Sequence, residues 1–171
     1  SSIDPLMTEM ILYAQWGEIV PSVDAGKDAE LRNNGSIDYT ITIKTGEGNQ
    51  GILKNFRITD AKLPADVEDI TIRINSAIPV YQEEIHDEDG IVTTPSGDPV
   101  VADRVVDGET VRVLTFALAA PLDGDDVLTI TYNYEYTDED AAGGTVTNTA
   151  NVEAWNEDEE QSGSDEDTTT T

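Results

Sequence analysis

Residues 36–44 read SIDYTITIK. Ile37, Tyr39, Ile41 and Ile43 fall on one side of an extended chain, and Asp38, Thr40, Thr42 and Lys44 on the other. Successive side chains of a strand point to opposite faces, so this alternation predicts a strand with one buried and one wet face. The same period recurs outward from it. Ile70, Ile72 and Ile74 alternate with Thr71 and Arg73. In ETVRVLTFAL (109–118), Arg112, Leu114, Phe116 and Leu118 oppose Val111, Val113, Thr115 and Ala117, so both faces turn apolar toward its end and a central position is expected. Leu128, Ile130, Tyr132, Tyr134 and Tyr136 form a stripe, and Val146, Asn148, Ala150, Val152 and Ala154 share a phase. Between these runs lie turn formers: Asn33-Asn34-Gly35, TGEGNQG (45–51), DEDG (87–90), PSGDP (95–99), Asp107-Gly108, DGDD (123–126) and AAGG (141–144). Short alternating strands with such breaks predict an all-β fold, an immunoglobulin-like or jelly-roll-type two-sheet β-sandwich. Residues 76–105 are less regular and are expected to form an excursion carrying a small hairpin.

The chain has 171 residues, 36 acidic against 9 basic, for a formal charge of −27. That charge repels nucleic acid and anionic membrane surfaces and argues against both as partners. Cysteine is absent, so there is neither a disulfide framework nor a thiolate metal site. No apolar run is long enough to span a bilayer as a helix, so no direct membrane insertion is expected. The opening Ser1-Ser2-Ile3 lacks an initiator methionine and looks like a mature or trimmed product, with which a removed signal peptide is consistent.

No catalytic constellation assembles, and an enzyme is not expected. His86 is the sole histidine and sits in the acidic stretch EEIHDEDG. Hard-cation binding has the better chemical case, because crowded carboxylates repel one another and a divalent ion relieves that. Three loops supply oxygen ligands at short spacing: Asp87, Glu88 and Asp89; Asp123, Asp125 and Asp126; Asp138, Glu139 and Asp140. Calcium is the expected ion, although none of these matches the twelve-residue EF-hand pattern. Asn148 is a polar residue in the apolar phase of its strand. It is either an inward amide bonded to backbone or one partner of an intramolecular isopeptide bond to a lysine. Lys27 and Lys54 each lie in phase with apolar neighbours, and Lys27 is the favoured partner. Asn34-Gly35-Ser36 is an N-glycosylation sequon in a turn.

The stretch GSIDYTITIKTGEGNQGILKNFRITDAKLP, followed much later by GGTVTNTANVEA, resembles the immunoglobulin-like repeats of bacterial and archaeal cell-surface proteins. The matching positions are Gly35, Tyr39, Thr40, Ile41 and Ile43, then Asn55, Ile58, Thr59, Asp60 and Pro64, then Thr145 to Val152. The resemblance implies fold and location. An apolar segment ahead of this module makes the chain also look like a donor-strand extracellular filament subunit: a TasA/camelysin-like fibre protein, an archaeal bundling pilin or a cannula-forming protein. That likeness implies an N-terminal strand inserted into the next subunit, and in the cannula case calcium-promoted assembly.

The segment in question is MTEMILYAQWGEIV (7–20). As a strand, Met10, Leu12, Ala14 and Trp16 face one way, Ile11 and Tyr13 the other, so both faces need cover. Pro5, Gly17 and Pro21 flank it. The organisation read from the chain is therefore an N-terminal donor strand (1–17), a sandwich (18–155) and an acidic Thr-rich tail (156–171) whose composition predicts a solvated segment. The functional expectation is a self-assembling homopolymer of an extracellular filament or tube, joined by strand donation and assisted by calcium. The alternatives are an adhesin or surface-layer domain whose first strand is intramolecular, and a carbohydrate-binding module with Trp16 or Trp155 as a stacking platform.

Overall fold

The computed structural model describes residues 23–45, 53–155 and 162–170 of the chain. Eleven strands are found there. The first four are β1 (Val23–Leu31), β2 (Ser36–Thr45), β3 (Asn55–Asp60) and β4 (Thr71–Ile74), followed by the short β5 (Ile85–His86) and β6 (Val92–Thr94). The last five are β7 (Val100–Val106), β8 (Glu109–Ala117), β9 (Leu128–Glu135), β10 (Thr147–Trp155) and β11 (Ser162–Thr170). One short helix, α1 (Asp138–Gly143), joins β9 to β10; Thr137 and Asp140 form its capping box.

The strands make two antiparallel sheets, ordered β1-β2-β9-β4 and β11-β10-β3-β8-β7, with β5-β6 as a separate hairpin. The all-β sandwich is thus the fold that the alternation predicts. Ile37, Tyr39, Ile41 and Ile43 of β2 are all buried, facing Phe56 and Ile58 of β3, Leu114 and Phe116 of β8 and Ala150 and Val152 of β10 across one core. The hairpin expected within 76–105 is β5-β6.

Strand β8 is apolar on both faces because both are covered. It lies between β3 and β7, and the excursion ahead of β7 bonds to its end. Gln82 N–H donates to the Ala117 carbonyl, Ala117 N–H to Gly97 and Gly97 N–H to Gln82, each at 2.9 Å. The Tyr81 ring meets Phe116 edge-on at 6.1 Å.

The acidic tail departs from its compositional reading. Ser162–Thr170 pairs antiparallel along the whole of β10, from Trp155↔Ser162 to Thr147↔Thr170. Main-chain pairing onto a free strand edge needs no apolar side chains, which is why composition does not register it.

Candidate functional site

The site grows from polar residues that the strand period turns inward. Lys27 follows Val23 and Ala25 on the inner face of β1. Tyr132 follows Leu128 and Ile130 on β9. Both belong to the four-stranded sheet. From the other sheet come Asp60, which follows Phe56 and Ile58 on β3, and Asn148, which precedes Ala150 on β10. The register Ala150↔Asp60 sets Asn148 just beyond the end of β3. The four residues meet between the sheets.

Lys27 Nζ donates to Asp60 Oδ2 at 2.5 Å and to the Tyr132 hydroxyl at 2.6 Å. Asn148 Nδ2 donates to the same Oδ2 at 3.3 Å and to the same hydroxyl at 3.2 Å. Tyr132 in turn donates to Asp60 Oδ2. The other carboxylate oxygen, Oδ1, accepts the Lys62 backbone N–H at 2.8 Å, which fixes the turn after β3. The side chains of Lys27 and Asp60 are fully buried, with 0% of either exposed. The Tyr39 ring lies 4.7 Å from Lys27 Nζ and walls the site. Burial, and after it the Asp60 charge, raises the Tyr132 phenol far above the ordinary tyrosine range; the same causes push Tyr39 up to about 12. A buried charge is costly unless paired and hydrogen-bonded, and this cluster supplies both conditions.

Chemically, an amine, a carboxamide and a carboxyl group meet at one buried point between the sheets. An amine that has passed its extra proton to the carboxylate is a nucleophile, and the carboxamide carbon is an acyl centre with ammonia as leaving group.

Of the expected pair, Lys27 and Asn148 are brought together around one carboxylate oxygen. Lys54 is only half-buried and lies ahead of β3, at the end opposite Asp60. Asp60 and Tyr132 are site residues that the sequence reading did not single out. Their signal was the one that flagged Asn148: each sits in the buried phase of a strand.

Of the nine acidic residues expected in loops, six lie in exposed or half-exposed turns, whereas Asp138, Glu139 and Asp140 form the first turn of α1. Asp87 Oδ1 accepts the N–H groups of Asp89 and Ile91, each at 2.9 Å. Asp126 binds Asn75 Nδ2 at 2.7 Å and the Asp123 N–H at 3.0 Å. Asp140 accepts from Thr137 N–H and from the Tyr134 hydroxyl, and these bonds hold its carboxyl below the ordinary carboxylate range. Glu88, Asp89, Asp125, Asp138 and Glu139 are exposed. Among the described residues, no three His, Cys, Asp or Glu side chains converge as a metal site.

Asn34 is exposed in the β1–β2 turn and accepts a hydrogen bond from the Ser36 hydroxyl. His86 is exposed beside Glu84. Trp155 is half-buried beneath the Arg57 guanidinium, 5.0 Å from the ring centre. Met10, Ile11, Leu12, Tyr13, Ala14 and Trp16, the expected assembly strand, lie outside the described residues.

No protein-family model matches the chain, and no curated protein matches its sequence. Solved structures do. The fold is similar to that of the full-length major pilin SpaD from Corynebacterium diphtheriae, with a TM-score of 0.50 and 17% identity over 87% of this chain and 35% of that one. The collagen-binding subdomain of the Enterococcus faecalis surface protein ACE aligns with a TM-score of 0.48 and 14% identity, over 85% of this chain and 94% of that one. A collagen-binding domain from a Staphylococcus aureus adhesin aligns at 0.44 and 12%, over 84% and 95%. The chain thus spans about a third of the pilin and nearly all of each adhesin domain. The likeness is one of fold, to β-sandwich domains of bacterial pilins and adhesins.

Proposed function

We propose that this chain is a structural domain of a cell-surface adhesin or pilus-type protein, and that its two sheets are locked by an amide bond between Lys27 Nζ and Asn148 Cγ. The observation that carries this reading is the buried convergence of Lys27, Asp60 and Asn148. The likeness of fold to a pilin supports the setting. In the reaction, the Lys27 ammonium gives one proton to Asp60 across the 2.5 Å contact. The neutral amine attacks Asn148 Cγ, the C–Nδ2 bond breaks, and one proton passes from Nζ to the departing nitrogen. Ammonia leaves as the neutral molecule and Asp60 keeps the proton it took from Lys27, so atoms and charge balance and no lone charge stays buried. No oxidant or cofactor enters. The product replaces a buried charged pair by a neutral amide, removing a cost the folded core otherwise carries. Digestion and tandem mass spectrometry test it: a branched peptide joining β1 to β10 is expected in the wild type and absent from N148A. Two linear peptides in the wild type overturn it.

A second reading concerns assembly, and the free edge of β7 favours it. Among the described residues β7 pairs only with β8, and its Val100, Val105 and Val106 are exposed. Such an edge can accept another strand through main-chain hydrogen bonds. Residues 10–16 of a neighbouring copy are the proposed donor, giving an open, head-to-tail polymer. Calcium enters as the ion that screens subunits carrying −27 each. Deleting residues 1–16 is expected to abolish fibres in electron micrographs while leaving the Lys27–Asn148 bond intact. Chelator is expected to weaken fibre growth of the full chain. Fibres from the truncated chain contradict strand donation, and equal growth in chelator contradicts the role of calcium.

A further inference from the structure

The crosslinking chemistry, on which this inference rests, has to move two protons and not one. The first is the surplus proton of the Lys27 ammonium. The second is the N–H proton that Nζ sheds once it has bonded to Asn148 Cγ, and it must reach Nδ2 for ammonia to depart. Asp60 has limited capacity for both. Its Oδ1 is occupied by the Lys62 backbone N–H, and its Oδ2 takes the first proton. A second group within reach of both nitrogens is needed.

Tyr132 is that group. Its hydroxyl lies 2.6 Å from Lys27 Nζ and 3.2 Å from Asn148 Nδ2, and it is hydrogen-bonded to Asp60 Oδ2. It touches every reacting residue while being consumed by none. The ring is held by burial and by Tyr39, whose centroid is 5.5 Å away. We propose that Tyr132 is a catalytic residue of amide-bond formation, relaying a proton from Nζ to the leaving Nδ2 through its hydroxyl.

Once Asp60 Oδ2 holds the first proton it no longer needs the Tyr132 donor, the phenolic O–H turns to Nδ2, and the phenolic oxygen accepts the Nζ proton as its own proton passes to Nδ2. The C–Nδ2 bond then breaks, ammonia leaves, and Tyr132 ends as it began, a neutral phenol. The raised phenol fits this role, because a group that resists ionisation acts as a two-way conduit and not as a standing base. Asp60 remains the acceptor of the first proton, so the two residues have separate duties.

The test follows bond formation in the full chain after a short pulse of cell-free synthesis, by loss of one ammonia from the intact mass. Wild type is expected to convert, D60A to remain unconverted, and Y132F to convert about a hundredfold more slowly. Y132F converting at the wild-type rate overturns the relay. A fold control compares Y132F/N148A with N148A, which are expected to melt within a few degrees of each other. If Y132F fails to fold, a fluorinated tyrosine at position 132 keeps the ring and the hydroxyl while changing its acidity. A several-fold change in rate then supports the relay, and an unchanged rate overturns it. A wild type that never loses ammonia overturns the crosslink itself, whereas a wild type that converts alongside an unimpaired Y132F overturns only the role of Tyr132.

Discussion

The residues that distinguish this core are its polar ones. Lys27, Asp60 and Asn148 are each less than 10% exposed and bonded to one another, where a sandwich core ordinarily holds aliphatics. Removing one member of such a pair strands the other. In an N148A background, where no amide bond can form, D60A is expected to lower stability by a further 3–5 kcal/mol or so, read from the urea midpoint. An unchanged midpoint contradicts the buried pairing. Tyr39 gives a pH signature. Burial, with the Asp60 charge behind it, raises its phenol from 10.0 to about 12. The folded state therefore holds this proton more tightly than the unfolded chain. The resulting stability is complete below pH 10 and is lost as pH rises toward about 12. Y39F is expected to lose less stability than wild type across that window, measured by circular dichroism at equal denaturant. At this scale much was legible: Asn148 and Lys27 betrayed themselves as polar residues in apolar phase. Asp60 did so equally, but in NFRITD it ends its strand, where an aspartate reads first as a turn former.

Among the elements, β2, β9 and β10 were legible because each buries one row of side chains, and β8 because both of its rows are apolar toward its end. The excursion between β4 and β7 was legible with its hairpin, but its docking on β8 was not, since that attachment is through main-chain bonds. Gly97 is the seam. A Cβ there would lie 2.3 Å from the Ala117 carbonyl oxygen and 2.9 Å from the Gln82 Cβ. G97A is expected to cost about 1–3 kcal/mol. It should also raise hydrogen exchange at the Gln82 and Ala117 amides while leaving the β2–β9 ladder protected. Equal protection at all these amides contradicts the seam. β11 was illegible for a related reason: a strand of Ser, Thr and acids pairs by its backbone and carries no hydrophobic period.

Across the whole molecule, the order of strands decides what one bond achieves. Lys27 lies on the edge strand of the four-stranded sheet and Asn148 on β10 of the other, so an amide between them ties the sheets together. It closes a loop of roughly 120 residues, for which chain entropy gives about 4–5 kcal/mol. N148A is accordingly expected to melt about 10–20 °C below wild type. The chain carries a net charge of −27, so raising ionic strength is expected to raise the melting temperature of both proteins alike. The sandwich was legible in the sequence; Lys27 and Asn148 were expected as a pair, but Asp60 and Tyr132 were not added to them, because register and strand order bring residues from four strands to one point. The most direct measurement is the intact mass of the fully denatured protein. Wild type is predicted to fall short of its sequence mass by one ammonia, with K27R and N148A at full mass. A wild type at full mass would contradict the account.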